Sequence, residues 1–244
     1  MPRERADRLL VALGHFDSRA SARAAIEAGC VTADGKPVTR PSEKLSPEAR
    51  IVALPAHPYV SRGGLKLAHA LDVFGVDPAG RTCLDLGAST GGFTQVLLAR
   101  GAGHVVAVDV GRDQFHTRLR GEPRVSLHEG RDARTLEAGD LPQPPGLIVA
   151  DVSFISLSKL LEIPLSLAAG RADLVALFKP QFEVGRAHIG KGGRVRPDAP
   201  VDAAAAALGE WLAGQGWAVA GWTDSPIAGG DGNAERLIQA RRLP

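Results

Sequence analysis

The sequence predicts an α/β fold, a seven-stranded and mostly parallel sheet preceded by a small α+β unit. Three observations carry the prediction. Short apolar runs alternate with helical stretches from residue 61 to the end. A glycine-rich turn, LDLGASTGGF at residues 84–93, stands between the first such run and a helix. A break at residues 56–60, marked by Pro55, Pro58, Gly63 and Gly64, separates this region from an N-terminal stretch of different character. Two domains are therefore expected, residues 1–55 and 61–244.

With 244 residues, 44% hydrophobic and 23% charged, the chain can bury one large core and one small one. Cys30 and Cys83 stand far apart and outside any C-x-x-C spacing, which excludes a disulfide framework and a cysteine-rich zinc site; no metal is expected. The charged start MPRERADR is unlike a signal peptide, and no apolar run reaches the roughly 18 residues of a membrane span. A cytoplasmic, monomeric protein is expected. The formal net charge of +2 neither demands nor excludes a nucleic-acid partner, so local clusters must decide.

In the N-terminal unit, ERADRLLVAL predicts a helix with Leu9, Leu10 and Leu13 on one side, ended by Gly14. Ser18 is the expected N-cap of a second helix, SRASARAAIEAG, ended by Gly29. VTADGKPVTR predicts a hairpin about Asp34 and Gly35. Arg3, Arg5, Arg8, Arg19 and Arg23 fall on or beside the two helices, where the interspersed Glu4, Asp7, Asp17 and Glu27 also allow a plain solvated face. This order of parts, over residues 3–54, resembles the S-four type RNA-binding domain. The resemblance implies a structured RNA ligand held at its phosphates by these arginines, with Lys36 in the hairpin and Arg62 after the linker.

Beyond the linker, TCLDLGA, HVVAVDV, RVSLHEG, GLIVADV and DLVALFK read as five successive strands. FTQVLLARG, QFHTRLRG, SLSKLLEIPLSLAAG and VDAAAAALGEWLAGQG supply helices between and after them. WAVAGWT is a sixth strand. ERLIQARR follows it with no intervening helix and is expected as a seventh, antiparallel to its neighbour. The pattern is similar to that of Rossmann-like methyltransferases.

The glycine turn points to the cofactor. A dinucleotide fingerprint would need glycine where the chain has Ser89, so a pyrophosphate is poorly served. S-adenosyl-L-methionine instead presents an ammonium and a sulfonium near such a turn, which the Asp85 carboxylate matches. Asp109 lies 22 residues after Gly87, the offset at which a carboxylate grips ribose hydroxyls. Asp132, in EGRDART, is placed to contact adenine, a helix cap being its alternative role. The expected cofactor contacts are Asp85, Gly87, Ala88, Ser89, Thr90, Gly91, Gly92, Phe93, Asp109, Val110 and Asp132.

Four charged residues converge on the same edge. Asp151 ends the fourth strand and Lys179 the fifth, while Glu235 begins the antiparallel one; Lys66, after the pair Gly63 and Gly64, opens the helix before the first strand. A lysine at a strand tip can simply snorkel to solvent, but two lysines and two acids at one ligand edge favour a site.

SRGGLKL, LDLGASTGGF, DVSFISL, KPQFEVG and SPIAGGDGNAE, in this order behind the small unit, resemble the TlyA family of ribosomal RNA 2′-O-methyltransferases, long labelled haemolysins and related to FtsJ-type enzymes. VGRDQFH, after Asp109, departs from the V-G-Y-G-Q-L type segment common in the family. The resemblance implies S-adenosylmethionine as methyl donor, a ribose in ribosomal RNA as acceptor, cytidine as its nucleoside, and Lys66, Asp151, Lys179 and Glu235 as the catalytic tetrad. A ribose hydroxyl is a weak acid, so in-line attack needs a group that accepts or stabilises its proton. Lys179 is the expected group, brought toward a pKa of about 7 to 8 by the Lys66 cation and partial desolvation, or acting as a protonated stabiliser of the alkoxide. Asp151 would orient Lys179, and Glu235 would position Lys66 or the ribose. An N-P-P-Y-like loop for base N-methylation is absent after the fourth strand, and Cys83 lies inside a strand, away from any role in base C-methylation. A membrane-active haemolysin and a ribosome-binding assembly factor without catalysis are the alternatives, the first lacking an amphipathic or spanning segment of adequate length.

Overall fold

The computed structural model describes residues 3–242, in two compact units, Met1–Pro58 and Tyr59–Pro244. In the first, β1 (Glu4–Arg5) leads into α1 (Ala6–Ala12) and α2 (Arg19–Glu27), followed by β2 (Val31–Ala33), β3 (Lys36–Pro37), β4 (Lys44–Leu45) and β5 (Ile51–Ala53). β1 pairs with β4, and β3, β2 and β5 form a separate antiparallel sheet. The hairpin turns on Asp34 and Gly35, both with positive φ, as a two-residue turn that follows the strand twist requires. Ser18 caps α2 by accepting the Ser21 amide at 3.1 Å.

Leu13 departs from expectation. Leu9 and Leu10 are buried with Ile26 and Val31, but α1 closes at Ala12, so Leu13 turns outward and is 47% exposed.

The second unit begins with α3 (Gly63–Phe74), stopped by Gly75 in the left-handed conformation. There follow β6 (Thr82–Leu86), α4 (Gly92–Ala99), β7 (His104–Asp109), α5 (Thr117–Arg120), β8 (Val125–Glu129), β9 (Leu147–Ala150), α6 (Leu157–Ser166), β10 (Ala172–Phe178), α7 (Pro180–Glu183), α8 (Val201–Gly214), β11 (Trp217–Asp224) and β12 (Arg236–Arg242). The sheet order is β11-β12-β10-β9-β6-β7-β8. β12 runs antiparallel to both its neighbours, and the other pairs are parallel. The central strands β6 and β9 are wholly buried, which is why TCLDL and LIVA read as unbroken apolar runs rather than alternating ones. One core cluster lies on each face of the sheet, around Ile148 and Phe178 on one and Leu67 and Val149 on the other.

The helix expected over QFHTRLRG shrinks to Thr117–Arg120. The backbone amides of Gln114 and Phe115 donate to the Glu129 carboxylate at 3.1 and 3.2 Å, which holds that part of the chain in a loop over β8.

Candidate active site

The carboxyl ends of β6, β7, β9 and β10 share one edge of the sheet, and the antiparallel β12 starts there. Phe178 stands opposite Arg236, so the residues just outside that pair, Lys179 and Glu235, occupy adjacent strand tips. α3 adds the fourth charged group. A Cβ on Gly63 would lie 3.5 Å from Asp151 Oδ2, so the first turn of α3 runs against that carboxylate. Three residues on, Lys66 is buried and its Nζ donates to Glu235 Oε2 at 2.5 Å. Lys179 Nζ lies 2.6 Å from Asp151 Oδ1 and donates to Ser153 Oγ at 3.1 Å.

The tetrad is thus two ion pairs bridged by one helical turn. Lys66 does not act as an unshielded cation upon Lys179, because Glu235 takes its charge; Lys179 faces a carboxylate and a hydroxyl. Pro180 begins α7 directly after Lys179 and fixes the backbone at that tip.

The glycine turn is shaped by packing. Gly87 and Gly91 have φ of 79° and 92°, and Ser89 between them is also left-handed at 47°. A Cβ on Gly87 would sit 2.5 Å from the Asp151 carbonyl oxygen, and one on Gly91 2.6 Å from Leu119 Cδ1. These two glycines therefore let the turn close on the DVSF loop and on α5. Ala88 and Phe93 are core side chains, Gly92 is buried where a Cβ would strike Ser61 Oγ, Thr90 is half-buried, and Val110 is exposed.

Asp85 lies wholly buried beneath the turn. Its Oδ2 accepts from Thr94 Oγ1 at 2.6 Å, and its Oδ1 has no hydrogen-bond partner among the described residues. Burial, opposed by the Thr94 hydroxyl and reinforced by Asp151, pushes its carboxyl up to about 7. A buried acid with an orphaned oxygen suits a cationic ligand. Asp109 works on the protein itself, Oδ2 accepting the Ser89 amide at 2.8 Å and Oδ1 the Gly111 amide at 2.6 Å, so that it ties the glycine turn to the loop after β7. Asp132 takes the cap role: it accepts the Arg134 amide at 2.9 Å and pairs with that guanidinium at 2.6 Å, which holds its carboxyl below the usual range.

Reading charges alone missed the residues that knit the motifs together. Glu183 Oε1 accepts the Leu157 amide at 2.8 Å, joining KPQFE to the loop after β9. Gln181 Nε2 donates to Asp231 Oδ2 at 3.0 Å, joining it to GGDGNAE. Phe154 has φ of 69° and is 92% exposed, with its ring 5.4 Å from that of Phe182. The available signal was a large aromatic in a loop three residues after a singled-out aspartate.

In the small unit, Arg5 and Arg19 have a task the sequence hid. Arg5 Nε lies 2.9 Å and Arg19 Nη2 2.7 Å from opposite oxygens of Asp7, which is fully buried. The Arg5 guanidinium, with Arg19 behind it, holds the Asp7 carboxyl far below its usual range. Arg3, Arg8, Arg23 and Lys36 are exposed, and so, in the larger unit, is Arg62. Burial pushes the Cys83 thiol up to about 12, which removes it as a nucleophile.

Comparison with known proteins agrees with this architecture. The S4 domain family matches residues 4–51, and the FtsJ-like methyltransferase family matches residues 59–242. The 16S/23S rRNA (cytidine-2′-O)-methyltransferase TlyA of Mycobacterium tuberculosis is 42% identical over 241 residues, 98% of this chain and 90% of that protein. Hemolysin A of Brachyspira hyodysenteriae is 37% identical, covering 96% of this chain and 98% of its own. A solved structure from Streptococcus thermophilus, also named a hemolysin, is 38% identical with a TM-score of 0.77, covering 100% of this chain and 90% of that one. The chain is thus an FtsJ-like methyltransferase that carries an S4 domain. Within that class it belongs to the TlyA family.

Proposed function

We propose that this enzyme methylates the ribose 2′-hydroxyl of a cytidine in ribosomal RNA, in the cytoplasm, with S-adenosyl-L-methionine as donor. The observation that carries the reading is the contact between the glycine turn and Asp151. The turn beside Asp85 packs on the Asp151 backbone, and the Asp151 side chain holds Lys179. A donor over the turn and an acceptor hydroxyl at Lys179 would therefore meet across one residue.

S-adenosylmethionine supplies, when bound, a methyl group on a positively charged sulfur. Asp85 offers it a buried carboxylate, and the left-handed turn from Gly87 to Gly91 offers backbone close approach. The Lys179 ammonium is ion-paired with Asp151 and donates to Ser153, and a further N–H can turn to the acceptor oxygen and stabilise the negative charge that builds on it. Glu235 and Lys66 neutralise each other and fix α3 against the site. Phe154 offers an exposed ring on which the target base can stack. The name of TlyA from M. tuberculosis supports cytidine and ribosomal RNA as substrate.

The hemolysin names of two relatives suggest membrane action, but no helix among the described residues is long and apolar enough to cross a membrane. The test is nucleoside mass spectrometry of ribosomal RNA from cells with and without the protein, paired with turnover by the purified enzyme on ribosomal subunits. Appearance of 2′-O-methylcytidine only when the protein is present is expected. Cofactor binding without turnover on any subunit would favour an assembly factor instead.

A further inference from the structure

We propose that the hairpin of residues 186–196 is a phosphate clamp for the RNA strand entering the site, seated on the catalytic edge by Asn233. The inference rests on the RNA methyltransferase reading above. The hairpin leaves α7 soon after Lys179. Ile189 and Val195 bridge across it, Gly190 N–H donates to the Arg194 carbonyl at 2.7 Å, and Arg196 N–H to the His188 carbonyl at 2.9 Å. Its backbone is therefore closed on itself rather than loose.

Arg186, Lys191, Arg194 and Arg196 are all exposed on this one short segment. None of the four is ion-paired with a carboxylate among the described residues. Elsewhere in the same unit Arg81, Arg100, Arg120, Arg124, Arg131 and Arg134 each pair with an acid, and Arg62, Arg112, Arg118 and Arg171, unpaired among the described residues, are scattered along the chain rather than gathered on one short segment. Four uncompensated cations beside a site that takes a polyanion form an electrostatic footprint, not a balanced surface.

Asn233 explains why the segment sits where it does. It is 7% exposed; its Nδ2 donates to the Gly193 carbonyl at 2.9 Å and to Asp231 Oδ2 at 2.8 Å, and its Oδ1 accepts the Val195 amide at 3.0 Å. Its own carbonyl accepts the Gly229 amide at 3.0 Å, and a Cβ on Gly229 would lie 2.7 Å from Glu235 Oε1. The Asn233 amide donates to Gly193 and accepts from Val195 at once; an aspartate could not donate to Gly193, and it would meet Asp231 with repulsion. Asn233 is therefore a positioning residue, holding the cations against the loop that delivers Glu235. Phosphates bound on the hairpin lie at the edge where the target ribose must present its hydroxyl.

The test uses the full chain and total ribosomal RNA from cells that lack the protein, with binding measured over a series of salt concentrations. The variant Arg186→Ala/Lys191→Ala/Arg194→Ala/Arg196→Ala should bind this RNA at least about tenfold more weakly near physiological salt. Its plot of log affinity against log salt should flatten by about 0.7 for each phosphate that is no longer neutralised. Cofactor affinity by calorimetry should not change. Asn233→Ala keeps every cation and should reproduce part of the affinity loss and of the fall in kcat/KM for RNA. If the fourfold variant does not fold, Arg186→Ala/Lys191→Ala and Arg194→Ala/Arg196→Ala carry the same test, each with about half the change in slope. Wild-type affinity and slope in the hairpin variants would overturn the clamp, and wild-type RNA affinity in Asn233→Ala would overturn its seat. A wild-type enzyme that methylates no ribose in this RNA would count against the enzymatic reading itself, whatever the hairpin does.

Discussion

Lys66 Nζ and Glu235 Oε2 meet at 2.5 Å across 169 residues of sequence, with both residues more than nine-tenths buried. Breaking such a pair from one side leaves a buried charge alone, which costs about 3–5 kcal/mol, whereas replacing both partners with apolar groups is often neutral. Lys66→Ala should therefore lower the thermal unfolding midpoint strongly, and Lys66→Met/Glu235→Leu should recover most of it. Neither variant should regain methyl transfer if the pair also fixes α3 against Asp151. Full activity in the double variant would reduce the pair to a structural link.

In the proposed mechanism the chemistry turns on Lys179. Lys179→Ala should retain cofactor affinity and lose roughly 10²-fold or more in turnover, the scale of a missing base or oxyanion stabiliser. Lys179→Arg keeps a positive charge but cannot give up its proton, and its planar fork differs from a point charge. Substantial activity in the arginine variant would assign Lys179 an electrostatic role; wild-type rates in the alanine variant would show that it only snorkels to solvent.

The succession of strands, the antiparallel last strand and the four charged groups were legible because each depends on local pattern plus a topological rule. Their pairing was legible only in part. Periodicity placed Lys66, Asp151, Lys179 and Glu235 at one edge and opposite charge matched Asp151 to Lys179, but Glu235 was left between Lys66 and the ribose, since that choice depends on how α3 crosses the sheet. Arg5 and Arg19 looked like RNA contacts for the same reason: the burial of Asp7 between them is a tertiary fact. Gly87 gives a further lesson. It is an expected cofactor contact, but a side chain there would first collide with the Asp151 carbonyl, so Gly87→Val disturbs the turn itself and is a poor probe of cofactor contact.

Phe154 holds a left-handed backbone, a conformation that costs a bulky residue on the order of 1–3 kcal/mol, and exposes nearly its whole side chain. Phe154→Gly should accordingly leave stability unchanged or raised. If the ring stacks on the target base, worth about 1–3 kcal/mol, kcat/KM for RNA should fall roughly 5- to 150-fold, with cofactor affinity intact. Phe154→Tyr should keep most of the activity, and a glycine variant with wild-type kcat/KM would exclude stacking.

If Asp85 receives the cofactor, as proposed, cofactor binding depends on pH. Its carboxyl is raised from 3.8 to about 7, chiefly by burial. The folded, unliganded protein therefore binds a proton more readily than the unfolded chain between those values, so its stability should decline as pH rises from about 4 to about 7 and level off above. A cationic ligand needs the opposite form, the carboxylate. Cofactor affinity should then weaken by up to about tenfold for each pH unit below 7, and binding near pH 6 should release close to one proton. Calorimetry in buffers of different ionisation enthalpy counts that proton, and thermal unfolding of the cofactor-free protein follows the stability. Asp85→Asn should flatten both profiles while weakening the cofactor at pH 8. If affinity were independent of pH in the wild type, the orphaned Asp85 oxygen would not be the group that receives the cofactor's positive charge.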